Sequence, residues 1–132
     1  MTTISIRYST GELSTYVAIP ACAGPWPGVV VIHDALGMSQ DVRNQADWLA
    51  GEGYLAAAPD LFDGKTLFGC LRSVMRDINR NEGPAFERVE AVRQWLLQHD
   101  HANGKVGVVG FCFGGGFALL LAPRGEYDVA SV

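Results

Sequence analysis

The residues best suited to chemistry in this chain are a cysteine with a glycine two positions to either side, Gly110-Phe-Cys-Phe-Gly114. G-x-nucleophile-x-G between a buried strand and a helix is the pattern of a nucleophile elbow. The sharp turn strains the backbone of its central residue, and the bare flanking glycines let strand and helix approach closely. A thiol at Cys112 then lies at the positive end of the helix dipole, which favours the thiolate. The Phe113 N–H points to where an acyl oxyanion would form. A second donor is expected from Ala35 in the loop His33-Asp-Ala-Leu-Gly37. An inert buried cysteine is the bland alternative. A dinucleotide fingerprint fails, because Gly110, Gly114, Gly115 and Gly116 do not give G-x-G-x-x-G.

Positioning such an elbow needs strands alternating with helices. Ile4–Tyr8 and Leu13–Ile19 flank the turn Ser9-Thr-Gly-Glu12 and read as an N-terminal hairpin, followed by a loop from Pro20 to Pro27. Gly28–His33 is a β-branched run with no polar face, as in a strand covered on both sides. The period then becomes helical: Ser39 caps, Val42, Ala46, Leu49 and Ala50 share a face, and Gly51 or Gly53 ends the helix. Tyr54–Ala58 reads as a second buried strand. Pro84 opens a helix whose stripe of Phe86, Val89, Val92, Trp95 and Leu96 runs to about Gln98. Lys105–Gly110 is a third buried strand, Phe117–Ala122 a helix ended by Pro123, and Tyr127–Val132 the start of another strand. The expected fold is therefore α/β, a mostly parallel sheet with flanking helices. Its ligands bind beyond the carboxyl ends of the strands, at His33–Gly37, Pro59–Asp63 and Phe111–Gly116.

Composition narrows the function. The 132 residues are 48% apolar and 18% charged with a net charge of −4, which suits one globular domain and leaves no basic face for nucleic acid. The longest uncharged run, Val106–Ala122, carries five glycines and is too short for a membrane span. The first twenty residues lack the apolar block of a secretory signal, so the expected compartment is the cytoplasm. Three widely spaced cysteines suggest neither a disulfide framework nor a zinc site, and Cys112 has no resolving partner nearby for redox sensing.

Val31–Gly37, Asp47–Tyr54, Ala58-Pro-Asp-Leu61 and Asn103–Gly116 together resemble dienelactone hydrolase and its relatives, a branch of the α/β-hydrolases, over about residues 10–132. Cysteine rather than serine in the elbow is the most specific part of the resemblance. It implies a cofactor-independent hydrolase that opens a small-molecule ester or lactone through an acyl-cysteine. Cys112 matches the family nucleophile, and Ala35 and Phe113 match its oxyanion-hole amides. The family carries Glu where this chain has Asp34, one methylene shorter. That carboxylate pairs with the thiol in the resting enzyme and is released on substrate binding. Arg72, Arg76 and Arg80, spaced four apart, are candidates for a substrate-carboxylate contact, against the plainer reading of a solvated helix face.

A nucleophile needs a base, and the base an orienting carboxylate. In the family both follow the nucleophile on later strand ends, whereas twenty residues follow Cys112 here. His99 and His101 precede the third buried strand and so belong at its far end, about 20 Å from Cys112 at 3.3 Å per residue. His33 is nearer, but a histidine oriented by loop hydrogen bonds is the favoured reading there. The expectation is an N-terminal portion of a hydrolase domain lacking its last strands. Its Asp and His lie beyond residue 132, and its bare sheet edge is open to self-association. The alternative is a non-catalytic α/β module.

Overall fold

The computed structural model describes residues 2–34, 37–62, 75–110, 118 and 120–131. Cys112, Phe113, Ala35 and Arg72 lie outside the described residues. Strands β1 (Thr2–Tyr8) and β2 (Gly11–Ala18) form the expected hairpin, with Tyr8 opposite Gly11. They are followed by β3 (Trp26–Ile32), α1 (Gln40–Gly51) and β4 (Leu55–Pro59). Helical residues 75–80, α2 (Pro84–Gln98), β5 (Ala102–Gly110), a short 3-10 turn at Ala122–Arg124 and β6 (Val129–Ser131) complete the order. The sheet runs β1-β2-β4-β3-β5-β6, with β4, β3, β5 and β6 parallel and the hairpin antiparallel to them.

Both helices begin where local rules place them. Ser39 Oγ accepts from the Val42 N–H at 3.4 Å, and Asp41 adds negative charge to the first turn of α1. Pro84 occupies the first turn of α2, where its missing N–H costs nothing, and the buried Asp77 accepts from the Ala85 N–H at 3.1 Å.

β3 lies at the centre with neighbours on either side, and its side chains alternate between two cores. Val29 and Val31 meet Val42, Ala46 and Ala50 of α1. Val30 and Ile32 meet Phe86, Val89, Val92 and Leu96 of α2. Right-handed crossovers require this division. The chain moves from β3 to β4 in one direction and returns past β3 to β5 in the other, so α1 and α2 must lie on opposite faces. Ala118 and Leu121, on the way from β5 to β6, join the α2 core as the same rule demands.

Two strands start earlier than their residue types suggest. β3 begins at Trp26, inside the expected Pro20–Pro27 loop, and β5 begins at Ala102 rather than Lys105. A single contact accounts for both: the Trp26 N–H donates to the His101 carbonyl at 2.7 Å, pairing Trp26 with Ala102. Pro27, which has no N–H to offer, sits at the register shift that follows. At the other end, the helix expected to stop at Pro123 continues as the 3-10 turn through Arg124, and β6 starts at Val129 because Tyr127 is buried in the α2 core. β6 is the outermost described strand, and its three residues are exposed.

Helix α2 packs tightly on the sheet at Gly28, where an added Cβ would lie 3.1 Å from the Leu96 Cβ. Leu96 is 1% exposed and fills the space a larger residue in β3 would take. Leu96→Ala should therefore cost about 2–5 kcal/mol of stability, read from chemical denaturation.

Candidate active site

The helices on either side of β3 leave in opposite directions, which opens a crevice between the carboxyl ends of β3 and β5. Ile32, the last residue of β3, pairs with Gly110, the last residue of β5. The chain passes from Ile32 to His33 and Asp34, and from Gly110 towards Cys112. On the other flank of β3, β4 ends at Pro59 and is followed by Asp60, Leu61 and Phe62.

His33 joins two of these loops. It is fully buried, and a buried polar group must find partners. Its Nδ1 lies 2.8 Å from the Asp34 carbonyl oxygen, and its Nε2 lies 3.0 Å from the Leu61 amide nitrogen. An N–H faces Nε2, so Nε2 accepts and the ring proton is on Nδ1, which donates to Asp34. Burial pushes the imidazole below its ordinary 6.5, outweighing the Asp34 carbonyl bond and the carboxylates of Asp60 and Asp34, which raise it. Phe62 meets the ring edge-on, with centroids 4.8 Å apart. The residue is a neutral clasp with both ring nitrogens engaged by the backbone.

The clasp is anchored on both sides. Gly37 N–H donates to the Asp34 carbonyl at 3.0 Å, closing a turn that requires φ +80° at Gly37; an added Cβ there would also come within 3.1 Å of the Phe62 ring. Arg88, from α2, donates through Nη1 to the Leu61 carbonyl and through Nε to the Tyr8 hydroxyl, both at 3.2 Å. Asp60 Oδ1 accepts from the Phe62 N–H, and the Asp60 N–H donates to the Ser14 carbonyl. The loop after β4 is thus tied to β1, β2 and α2.

Asp34 is half-buried and lines an open hollow of about 320 Å³ with Ser39, Asp41 and Asn44 at the start of α1. His99 and His101 lie at the amino ends of β3 and β5, with ring centroids 5.9 and 5.2 Å from Trp26, as their position before β5 predicts. Arg76 and Arg80 line a separate open hollow with Tyr8, Ser9, Glu87 and Arg124, which contains none of the loop residues described above. Among the described residues, no group of three or more His, Cys, Asp or Glu side chains could hold a metal, and no helix is long and apolar enough to cross a membrane. Sequence reading missed Leu61 and Arg88. The available signal was His33 itself, a polar residue at the end of a strand with no solvent face.

The sequence profile described as the dienelactone hydrolase family matches residues 13–132. A carboxymethylenebutenolidase of Pseudomonas putida is 31% identical over 138 residues, covering 96% of this chain and 58% of that protein. Among solved structures, a putative dienelactone hydrolase from Klebsiella pneumoniae superposes with a TM-score of 0.77 at 29% identity, covering 96% of this chain and 55% of that one. A dienelactone hydrolase-like promiscuous phosphotriesterase from metagenomic libraries superposes with a TM-score of 0.79 at 25% identity, over 99% of this chain and 58% of the other. The chain spans a little over half the length of these relatives.

The neutral clasp has a pH signature. Below about pH 6.5 the unfolded chain binds a proton at His33 that the folded chain, with its lowered pKa, does not, so stability falls as pH falls until the folded pKa is reached. The slope contributed by His33 approaches ~1.4 kcal/mol per pH unit. Denaturation curves between pH 7.5 and 5.5 should show it in the wild type, and His33→Asn should remove that share of the slope.

Proposed function

The chain belongs to the dienelactone hydrolase family, and on that premise we propose that it carries the nucleophile and oxyanion hole of a cofactor-independent carboxylic ester or lactone hydrolase. Cys112 is the nucleophile, and the Ala35 and Phe113 amides form the hole. The observation that carries this reading is the pairing of Ile32 with Gly110. Cys112 follows Gly110 by two residues in the sequence, and Ala35 follows Ile32 by three, which supports the reading.

The chemistry follows from those positions. The Cys112 thiolate attacks the carbonyl carbon; a C–S bond forms, and the carbonyl π pair moves to oxygen, where two N–H donors stabilise it. Collapse of this intermediate breaks the C–O bond. The departing alkoxide takes a proton and, in a lactone, stays tethered as a hydroxyl. Water then attacks the thioester carbon, giving the carboxylic acid and returning the thiolate. Asp34, in the place of the family's glutamate, is the carboxylate that pairs with the thiol at rest.

The base is not one of the chain's three histidines. His33 has both nitrogens engaged by the backbone, and His99 and His101 surround Trp26 at the opposite end of β3. On this reading a His and its orienting Asp come from outside residues 1–132, a reading supported by the greater length of the relatives. The substrate is a small molecule and the compartment the cytoplasm. The exposed edge at β6 is where copies of this chain, taken alone, would associate.

Iodoacetamide tests the nucleophile. Cys112 should be alkylated at least about tenfold faster than Cys22, which is exposed and serves as the ordinary thiol, or Cys70. The fast phase should vanish in Cys112→Ala. Equal rates at the three cysteines would leave a non-catalytic module as the better reading.

A further inference from the structure

The sheet has a second end, away from β6. β1 is its outermost strand there, and among the described residues no strand pairs with its outer edge. Which groups that edge presents follows from the register. The Asp60 N–H donates to the Ser14 carbonyl at 2.9 Å, so the main chain of Ser14 faces β4. Residues directly opposite in an antiparallel pair either exchange both main-chain bonds or both turn away, in alternation along the strand. Ser5 lies opposite Ser14, so its N–H and C=O point outward, and those of Thr3 and Arg7 do the same. The side chains of these residues are exposed on one face. On the other, Ile6 is buried in the α2 core, with Ile4 and Tyr8 half-buried against it.

Natural edge strands are blunted by short length, lysines, prolines or bulges, because an open row of main-chain groups pairs with other strands. β1 carries none of these devices. It is seven residues long, its pairing with β2 runs without a break from Thr2 to Tyr8, and Arg7 is its one charge. The Glu12 carboxylate lies 3.9 Å from Arg7 Nη2 and accepts from Ser5 Oγ, which leaves the main chain of both residues open.

We propose that β1 pairs antiparallel with β1 of a second copy of this chain, about a two-fold axis at Ser5, so that two sheets become one. A strand with outward groups at Thr3, Ser5 and Arg7 is its own complement. Ser5 meets Ser5, Thr3 meets Arg7, and each such pair exchanges both N–H···O bonds. On the buried face Ile4 comes opposite Ile6 of the second copy, which covers its half-exposed side chain and extends the α2 core. The charges agree with this register. The two Arg7 residues lie about 14 Å apart along the strands, four residues at about 3.4 Å each, beyond the Debye length of about 8 Å at physiological salt. Sliding the pair by two residues one way brings them to about 8 Å. The other way carries Arg7 past Thr2 of the second copy. The pairing does not depend on the hydrolase reading.

Sedimentation velocity of the polypeptide at its full natural length, at concentrations up to several hundred micromolar, should show a monomer–dimer equilibrium. Ser5→Pro removes the central outward N–H and no bond to β2, so it should leave the protein monomeric over that range. Ser5→Ala, which loses only the hydroxyl, should dimerise as the wild type does. Substitutions at Thr3 read the register. Thr3→Glu faces Arg7 of the second copy at two symmetric positions and should tighten association about 2- to 20-fold at low salt, whereas Thr3→Lys should weaken it by a similar factor. Amide exchange should slow with rising concentration at Thr3, Ser5 and Arg7, and not at Ile4 and Ile6, whose N–H groups already face β2. A monomer at every concentration, a dimer indifferent to Ser5→Pro, equal effects of the two Thr3 variants, or slowed amides elsewhere would overturn the proposal. If Ser5→Pro also lowers the denaturation midpoint, the Thr3 pair decides.

Discussion

Burial of β3 on both faces is the constraint from which the rest of the site follows. Val30, Val31 and Ile32 have no solvent exposure, so the strand offers function only its end. Because β4 and β5 flank it, right-handed connections place α1 and α2 on opposite faces and part the chain at its carboxyl end. The polar residue that follows Ile32 emerges still inside the protein. A histidine there must satisfy both nitrogens or leave a buried polar group unpaired, which costs about 1–3 kcal/mol. It does so with the backbone of two loops, and this converts a packing constraint into a rigid frame around the crevice.

The frame is continuous. Tyr8 on β1 meets Arg88 on α2, Arg88 holds Leu61, Leu61 holds His33, and His33 holds Asp34, whose carbonyl Gly37 also binds. The links from Tyr8 to Arg88, Leu61 and His33 join elements far apart in sequence, and with the local bonds to Asp34 they connect the outer strand to the first loop of the site. Preorganised donors stabilise developing charge because they need not reorient during reaction, so loops tied in this way suit acyl transfer.

Much of this architecture was legible in local signals. Pro84, the stripe from Phe86 to Leu96 and the Ser39 cap act within one or two turns, and the helices they predict form where expected. The two-sided burial of β3 was readable from its β-branched run, and the elbow pattern at Cys112 with the family resemblance pointed to the correct family. What escaped depends on partners distant in sequence. Trp26 reads as loop beside its prolines, yet joins β3 because His101 accepts its N–H. His33 has no local feature that announces Leu61, 28 residues on, or the guanidinium of Arg88 behind it. Of the row Arg72, Arg76 and Arg80, for which a solvated helix face was the plainer reading beside a substrate contact, Arg76 and Arg80 line an open hollow beside Tyr8 and Glu87.

The central claim is that an acyl group passes through the sulfur of Cys112. Mixing the protein with p-nitrophenyl acetate, quenching in acid within the first turnover and digesting with trypsin would expose the carrier directly. The account predicts an acetyl group on the peptide spanning residues 106–124, removed by hydroxylamine as a thioester is. Turnover with no acyl group on that peptide, or with the acyl group stably on another residue, would contradict it.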